Sequence, residues 1–178
     1  MGEKAVKFAK LNIINQDNPN VAYRDFLILG EAYYKVSQYD SASIFLNKSL
    51  YSDDNYTKAG AYMRLADIAQ KQGNLEKAKE LLYKYKEISG KDASYYSIAG
   101  IISLNENNIE DAFEKFTKGL NIDNTNSDLL YNIAYLNLVV GNTDEALEYY
   151  KRCINNTDDK DLIIEVTDII DKLQDKIS

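Results

Sequence analysis

The stretch that decides the fold reads FLILGEAYYKVSQYDSASIFL and covers residues 26–46. It places two small residues, Gly30 and Ala42, twelve positions apart on either side of the pair Ser37-Gln38. Two antiparallel helices can approach closely only where both present a small side chain at the crossing point. The stretch therefore predicts a helical hairpin with its turn at Ser37-Gln38.

The same pattern recurs three more times along the chain. The position of Ala42 is repeated after 36, 34 and 34 residues, and an apolar residue stands four positions after each copy. Gly and Asn, which occupy the three later turns, tolerate the left-handed conformation that ends a helix. The eight small residues are Gly30, Ala42, Ala66, Ala78, Gly100, Ala112, Ala134 and Ala146, and the turns are Ser37-Gln38, Gly73-Asn74, Asn107-Asn108 and Gly141-Asn142.

The repeat predicts an all-α chain built from four helix pairs. A period of about 34 residues is typical of helical repeats that stack on one another. The predicted first helices are 23–36, 59–72, 93–106 and 127–140, and the predicted second helices are 40–52, 75–88, 109–121 and 143–156.

These residues resemble the tetratricopeptide repeat (TPR) family. The segment FLILGEAY at 26–33, followed by ASIFL at 42–46, is similar to the family's pattern of large, Leu-Gly, Tyr and Ala-x-x-x-Leu positions, with Phe26 in place of Trp. In the later repeats the Tyr33 position holds Ala69, Ser103 or Asn137. The resemblance implies a right-handed superhelical solenoid in a single domain over 1–178, with repeats at about 23–56, 59–92, 93–126 and 127–160.

The two ends of the chain depart from the repeat. Residues 3–15 form a predicted amphipathic helix that ends at Asp17-Asn18-Pro19-Asn20. This extra helix is either the second helix of a preceding repeat or a capping helix. Residues 161–177 place an apolar stripe on one face and are predicted to cap the last repeat; the stripe is Leu162, Val166, Ile169, Ile170, Leu173 and Ile177.

The composition excludes several classes of protein. Of 178 residues, 45% are hydrophobic and 28% are charged, which is typical of a folded chain. The net charge of −7 repels a phosphate backbone and argues against a nucleic-acid partner. No apolar run is long enough to span a membrane, and the N-terminus does not resemble a secretion signal. We therefore expect a cytoplasmic protein without membrane insertion.

The side chains needed for most catalysis and metal binding are scarce. There is no histidine and only one cysteine, Cys153, whose place in the repeat predicts buried packing. The acidic pairs Asp53-Asp54 and Asp158-Asp159 lack the spacing of a calcium loop and are predicted to cap helices. We expect no catalytic residues, no metal and no cofactor.

The first helices of the pairs line the concave side of the implied solenoid. Ile101, Tyr131, Tyr135 and Val139 are predicted to anchor an apolar segment of a partner, while Glu31, Asp67 and Lys71 orient it. Alternatively, the helix at 161–177 covers this patch and makes Tyr131 and Tyr135 cap contacts. The full set of predicted partner-binding residues is Leu27, Glu31, Tyr34, Met63, Asp67, Lys71, Ser97, Ile101, Tyr131, Tyr135 and Val139.

The resemblance and this lining favour a non-enzymatic scaffold or adaptor that binds another protein or a peptide. Two alternatives stay open at this point. One is a self-assembling homo-oligomer, since the ends of a solenoid can stack on further copies. The other is the ligand-sensing part of a larger regulatory protein.

Overall fold

The computed structural model describes Val6 and residues 19–177, and the regular elements within these residues are all α-helices. The predicted N-terminal helix, residues 3–15, lies outside the described residues apart from Val6, which is helical. From residue 19 onward there are nine helices. They are α1 (Pro19–Lys35), α2 (Tyr39–Ser49), α3 (Asn55–Lys71), α4 (Leu75–Ser89), α5 (Ala93–Asn105), α6 (Ile109–Ile122), α7 (Ser127–Val139), α8 (Thr143–Asn155) and α9 (Lys160–Ile177).

The chain divides into two compact units, Met1–Gly90 and Lys91–Ser178, which we call unit 1 and unit 2. Unit 1 contains the hairpins α1–α2 and α3–α4, with α3 packed against both α1 and α2. Unit 2 contains the hairpins α5–α6 and α7–α8, with α7 packed against both α5 and α6 and with α9 against α8. Each unit therefore holds two hairpins whose first helices touch each other. The single domain expected over 1–178 stays a prediction.

Close packing at the predicted crossings holds each hairpin together. All eight small residues at these positions are buried. A Cβ atom added at Gly30 would lie 2.7 Å from Leu46 Cγ, and one added at Gly100 would lie 2.3 Å from Phe116 Cε1. Leu46 and Phe116 are themselves fully buried. In these two hairpins a large side chain of the second helix therefore lies directly over the glycine of the first.

The four hairpin turns end their first helices in the same way. Ser37, Gly73, Asn107 and Gly141 have φ angles of 57°, 76°, 59° and 89°, so the predicted left-handed conformation is confirmed. In each turn the following N–H donates to the carbonyl oxygen five residues earlier, at distances of 2.8 to 3.0 Å. This is the hydrogen bond of a Schellman motif, and it fixes the direction in which the second helix departs.

Two helices begin earlier than the sequence predicts. The first helices of unit 1 were expected at residues 23 and 59, but α1 begins at Pro19 and α3 begins at Asn55. Proline is favoured at the first helical position because the N–H that it lacks has no partner there. The carboxylate of Asp54 caps α3 by accepting from the N–H groups of Tyr56 and Thr57 at 3.2 and 3.0 Å. The predicted end of the N-terminal helix falls on residues that the structure does not describe, apart from Pro19 and Asn20, which begin α1.

The last helix closes the apolar core of unit 2. Val166, Ile170 and Leu173 are buried in a cluster with residues of α5 to α8, and Leu162 and Ile169 pack against that cluster. These five residues belong to the apolar stripe that the sequence assigns to a capping helix. Within the described part of the chain, no helix is both long enough and apolar enough to cross a membrane.

Replacing Gly100 by alanine should lower the free energy of unfolding by about 1–2 kcal/mol. The added methyl group has no room beside the Phe116 ring, and overpacking outweighs the higher helix propensity of alanine. Urea unfolding followed by circular dichroism measures the change. Phe116→Leu is the matched background, because a smaller side chain leaves space for the methyl group. Equal costs of Gly100→Ala in the two backgrounds would contradict the assigned contact.

Replacing Ser37 by glycine should stabilise the protein by about 0.5–1 kcal/mol, because the left-handed conformation is strained for any residue with a Cβ atom. Thermal and urea unfolding measure the gain. Ser43→Gly is the control, since Ser43 lies inside α2, where glycine lowers stability by roughly 0.5 kcal/mol. The two serine-to-glycine substitutions should therefore change the free energy of unfolding in opposite directions.

Candidate functional site

Unit 1 carries six of the predicted partner-binding residues, on α1 and α3. The structure corrects the exposure expected for Leu27, which is only 5% exposed. A Cβ atom added at Gly60 would lie 3.0 Å from Leu27 Cδ2, so Leu27 fills the contact between α1 and α3. Lys71 is exposed at the end of α3, and Met63 is half-buried.

A polar network joins α1 to α3 and engages both predicted carboxylates of unit 1. Tyr34 Oη donates a hydrogen bond to the Asp67 carboxylate, and Gln70 Nε2 donates to Asp67 Oδ1 at 2.9 Å. The Arg64 guanidinium lies 5.0 Å from the centre of the Tyr34 ring, and Arg64 Nε lies 3.7 Å from Glu31 Oε1. Glu31, Tyr34 and Asp67 are thus brought together, but each already has a partner within the chain.

The network also changes the acidity of the Tyr34 phenol. Burial, and then the hydrogen bond to Asp67, raise the pKa of Tyr34 well above its usual range. Arg64 and Gln70 are not among the residues predicted from the sequence. Their spacing was the available signal, because Arg64, Asp67 and Gln70 follow one another at intervals of three residues on one face of α3.

Unit 2 carries the other five predicted residues, on α5 and α7. Ser97 is only 8% exposed, so its predicted exposure is also corrected. The reason is the same as for Leu27: a first helix that packs on both its own partner and the neighbouring hairpin has fewer open faces. Ile101, also on α5, is half-buried and packs against the unit 2 core.

The open face of α7 carries Tyr131, Tyr135 and Val139, spaced one helical turn apart. Tyr135 is 46% exposed and Val139 is 49% exposed. Tyr135 and Val139 lie on one side of the helix, roughly opposite to the buried Ile133. We use the name α7 surface for these three residues of α7 together with Ile101 of α5.

The capping helix α9 reaches one tyrosine of the α7 surface. Tyr131 Oη donates to Glu165 Oε1 at 2.8 Å, and its ring meets the Tyr150 ring edge-on with centres 5.7 Å apart. Burial and the bond to Glu165 raise the pKa of Tyr131. The alternative interpretation, in which α9 covers this patch, therefore describes Tyr131, whereas Tyr135 keeps nearly half of its surface open.

Cys153 lies behind this surface, among buried residues of unit 2. Its Sγ atom is 3.4 Å from the carbonyl oxygen of Ser127. Burial, followed by the negative charges of Asp128 and Glu165, raises the pKa of Cys153 to about 11. The thiol is therefore protonated at neutral pH and contributes packing rather than nucleophilic chemistry.

The acidic pairs predicted to cap helices do so at one residue each. Asp54 caps α3, as described above, and Asp159 Oδ1 accepts from the N–H groups of Asp161 and Leu162 at 3.0 and 3.3 Å. Among the residues that the structure describes, no three His, Cys, Asp or Glu side chains are grouped so that they could hold a metal ion.

Comparison with protein families identifies the repeat. The family model for the tetratricopeptide repeat matches residues 59–92 and 127–159, which fall in unit 1 and unit 2 respectively. These are two of the four repeats that the sequence predicts, so the resemblance is confirmed. No curated protein sequence matches the chain significantly.

Solved structures share the fold at low sequence identity. The chain is similar to TTC0263, a TPR protein of Thermus thermophilus, with 18% identity, a TM-score of 0.73 and coverage of 94% of this chain and 89% of that one. It is also similar to pilF of Pseudomonas aeruginosa (19%, TM-score 0.64, 90% and 73% covered) and to MamA of Desulfovibrio magneticus RS-1 (17%, TM-score 0.59, 86% and 84% covered). These similarities confirm an all-α helical-repeat solenoid as the fold class.

Replacing Tyr34 by phenylalanine should lower the free energy of unfolding by about 1–2 kcal/mol, because Asp67 loses a hydrogen bond in a half-buried position. Urea unfolding at neutral pH measures the loss. Tyr51→Phe is the control, since Tyr51 is exposed and should tolerate the change.

The difference in free energy of unfolding between wild type and Tyr34→Phe should disappear at alkaline pH. Because the pKa of Tyr34 is raised in the folded state, its stabilising contribution is fully present below the unfolded pKa of about 10 and is lost as the pH rises above it. A difference in stability that stays constant up to pH 11 would contradict the assigned hydrogen bond.

Proposed function

Because this chain belongs to the tetratricopeptide-repeat family, whose fold is generally a protein–protein interaction scaffold, we propose that it is a non-enzymatic adaptor. In this proposal the chain binds a peptide or protein segment on the open faces of its first helices. The main contact is the α7 surface of unit 2.

The observation that carries the proposal is the exposure of Tyr135 and Val139. Both are about half exposed, so packing within the described chain leaves part of each side chain open to a partner. Neighbouring exposed aromatic and aliphatic side chains are typical of binding surfaces, because a tyrosine offers a large contact area and loses little conformational freedom. Tyr131 and Ile101 extend this surface with half-buried side chains.

The open face of unit 1 is proposed as a second, polar contact surface of its own. There, Lys71 and Met63 are accessible, whereas Glu31 and Asp67 contribute mainly through the network with Arg64 and Tyr34. A partner that meets this face would find a surface with a fixed hydrogen-bonding pattern. The unit 1 surface is polar, whereas the α7 surface is apolar.

A catalytic role is not part of the proposal. Members of this family are generally non-catalytic scaffolds. The raised pKa values of Cys153 and of Tyr150, which burial brings to about 11 and about 12, leave these groups protonated and weakly nucleophilic at neutral pH.

Replacing Tyr135 by alanine should weaken partner binding by about tenfold or more, while stability changes by less than about 0.5 kcal/mol. The tagged protein is used to capture partners from a lysate of the source cells, and the captured protein is identified by mass spectrometry. Its affinity for wild type and variant is then measured with purified components. Tyr135→Ala is preferable to Tyr131→Ala, because Tyr131 also packs on Tyr150 and bonds to Glu165.

Tyr83→Ala is the matched control for that experiment. Tyr83 is an exposed tyrosine on α4, a second helix of unit 1, and it lies outside the predicted partner-binding set. Its replacement should leave binding unchanged. If wild type and Tyr135→Ala retain the same protein with equal affinity, the α7 surface is not the binding site.

A further inference from the structure

The negative charge of the chain is concentrated in unit 2. Residues 91–178 contain 17 acidic and 8 basic residues, for a net charge of −9. Residues 1–90 contain 11 acidic and 13 basic residues, for a net charge of +2. The overall charge of −7 thus hides a strongly acidic unit beside a slightly basic one.

Part of this acidity lies at the α7 surface itself. Glu165 accepts the hydrogen bond of Tyr131, and Asp128 stands one turn before Tyr131 on the same face of α7. The charges of Asp128 and Glu165 both act on Cys153, behind the surface, and the charge of Glu165 also acts on Tyr150. The apolar side chains of the surface are therefore flanked by two carboxylates.

The two first helices of unit 2 contribute no cationic side chain to this surface. Neither α5 nor α7 contains a lysine or an arginine in its sequence. On α9, Lys172 forms an ion pair with Asp168, four residues earlier on the same helix. A ligand on the α7 surface therefore meets apolar contacts beside Glu165, whose hydrogen-bond donor is a neutral phenol, on the acidic unit of the chain.

We propose that the α7 surface binds a segment of another protein that combines apolar side chains with lysine or arginine. This inference rests on the proposed function and adds the chemical class of the partner. Burial of the apolar side chains against Tyr135 and Val139 supplies most of the affinity. The flanking carboxylates attract the basic residues, speed association and disfavour acidic segments.

The probe for this proposal is a fluorescein-labelled helical peptide of about 14 residues, or four turns, with leucine on one face and lysine on the other. Its counterpart carries glutamate in place of every lysine. Fluorescence anisotropy with the full chain should show binding of the lysine peptide at least tenfold tighter than that of the glutamate peptide. The affinity should fall as salt is raised from about 0.05 to 0.5 M, because the charge contribution is screened.

Two double variants, each with its own control, distinguish a specific site from general attraction to an acidic protein. The double variant Tyr135→Ala with Val139→Ser should bind the lysine peptide at least tenfold more weakly than wild type, whereas Tyr83→Ala should bind it as wild type does. The double variant Asp128→Asn with Glu165→Gln should bind the lysine peptide about fivefold more weakly at low salt. Glu145→Gln with Glu148→Gln on α8 removes the same net charge away from the surface and should have little effect.

Several results would overturn the proposal. If the two charge-neutralising double variants lose the same affinity for the lysine peptide, the attraction is due to net charge alone. If the glutamate peptide binds as well as the lysine peptide, the basic class of partner is wrong. If the protein sediments as a dimer at the assay concentration and Tyr135→Ala dissolves that dimer, the occupant of the surface is a second copy.

The outcome is distinguishable from a failure of the proposed function. If the lysine peptide does not bind while capture of a cellular protein still depends on Tyr135, the adaptor function stands and the charge class proposed here is wrong. If binding of the captured protein is also indifferent to Tyr135, both proposals fail together.

Discussion

The close approach of two helices at a pair of small residues is the constraint on which each hairpin depends. At Gly100 the Phe116 ring occupies the space that a methyl group would need, and at Gly30 Leu46 does the same. Such contacts leave no freedom to slide one helix along the other, because the large side chain fits over only one position. The crossing therefore fixes which face of each helix is buried.

The faces left open follow from the same constraint. Once Ile133 and Ala134 of α7 are committed to the core, Tyr135 and Val139 must point away from it. The left-handed turn at Gly141 then directs α8 back along α7 and keeps it off that outer side. The open position of Tyr135 and Val139 thus results from the hairpin geometry.

The sequence predicts what lies within one repeat better than what lies between repeats. The crossings, the turns and the helix order depend on spacings of twelve and about 34 residues, which are visible in the sequence. The burial of Leu27 and Ser97 depends on how a first helix meets the neighbouring hairpin, and no spacing within one repeat reports that contact. The bond from Tyr131 to Glu165 spans 34 residues, which is one repeat spacing, but it reaches α9, where the side-chain pattern of the repeat is no longer visible.

The carboxylates of the two units have different partners, and this difference supports unit 2 as the main contact in the proposed function. In unit 1, Glu31 lies beside the Arg64 cation, and Asp67 accepts hydrogen bonds from Tyr34 and Gln70. In unit 2, Glu165 accepts a bond from the neutral phenol of Tyr131. A bond from a neutral donor holds a carboxylate in place without cancelling its field. The α7 surface therefore combines apolar area with negative charge, whereas an ion pair offsets part of the negative charge on the unit 1 face.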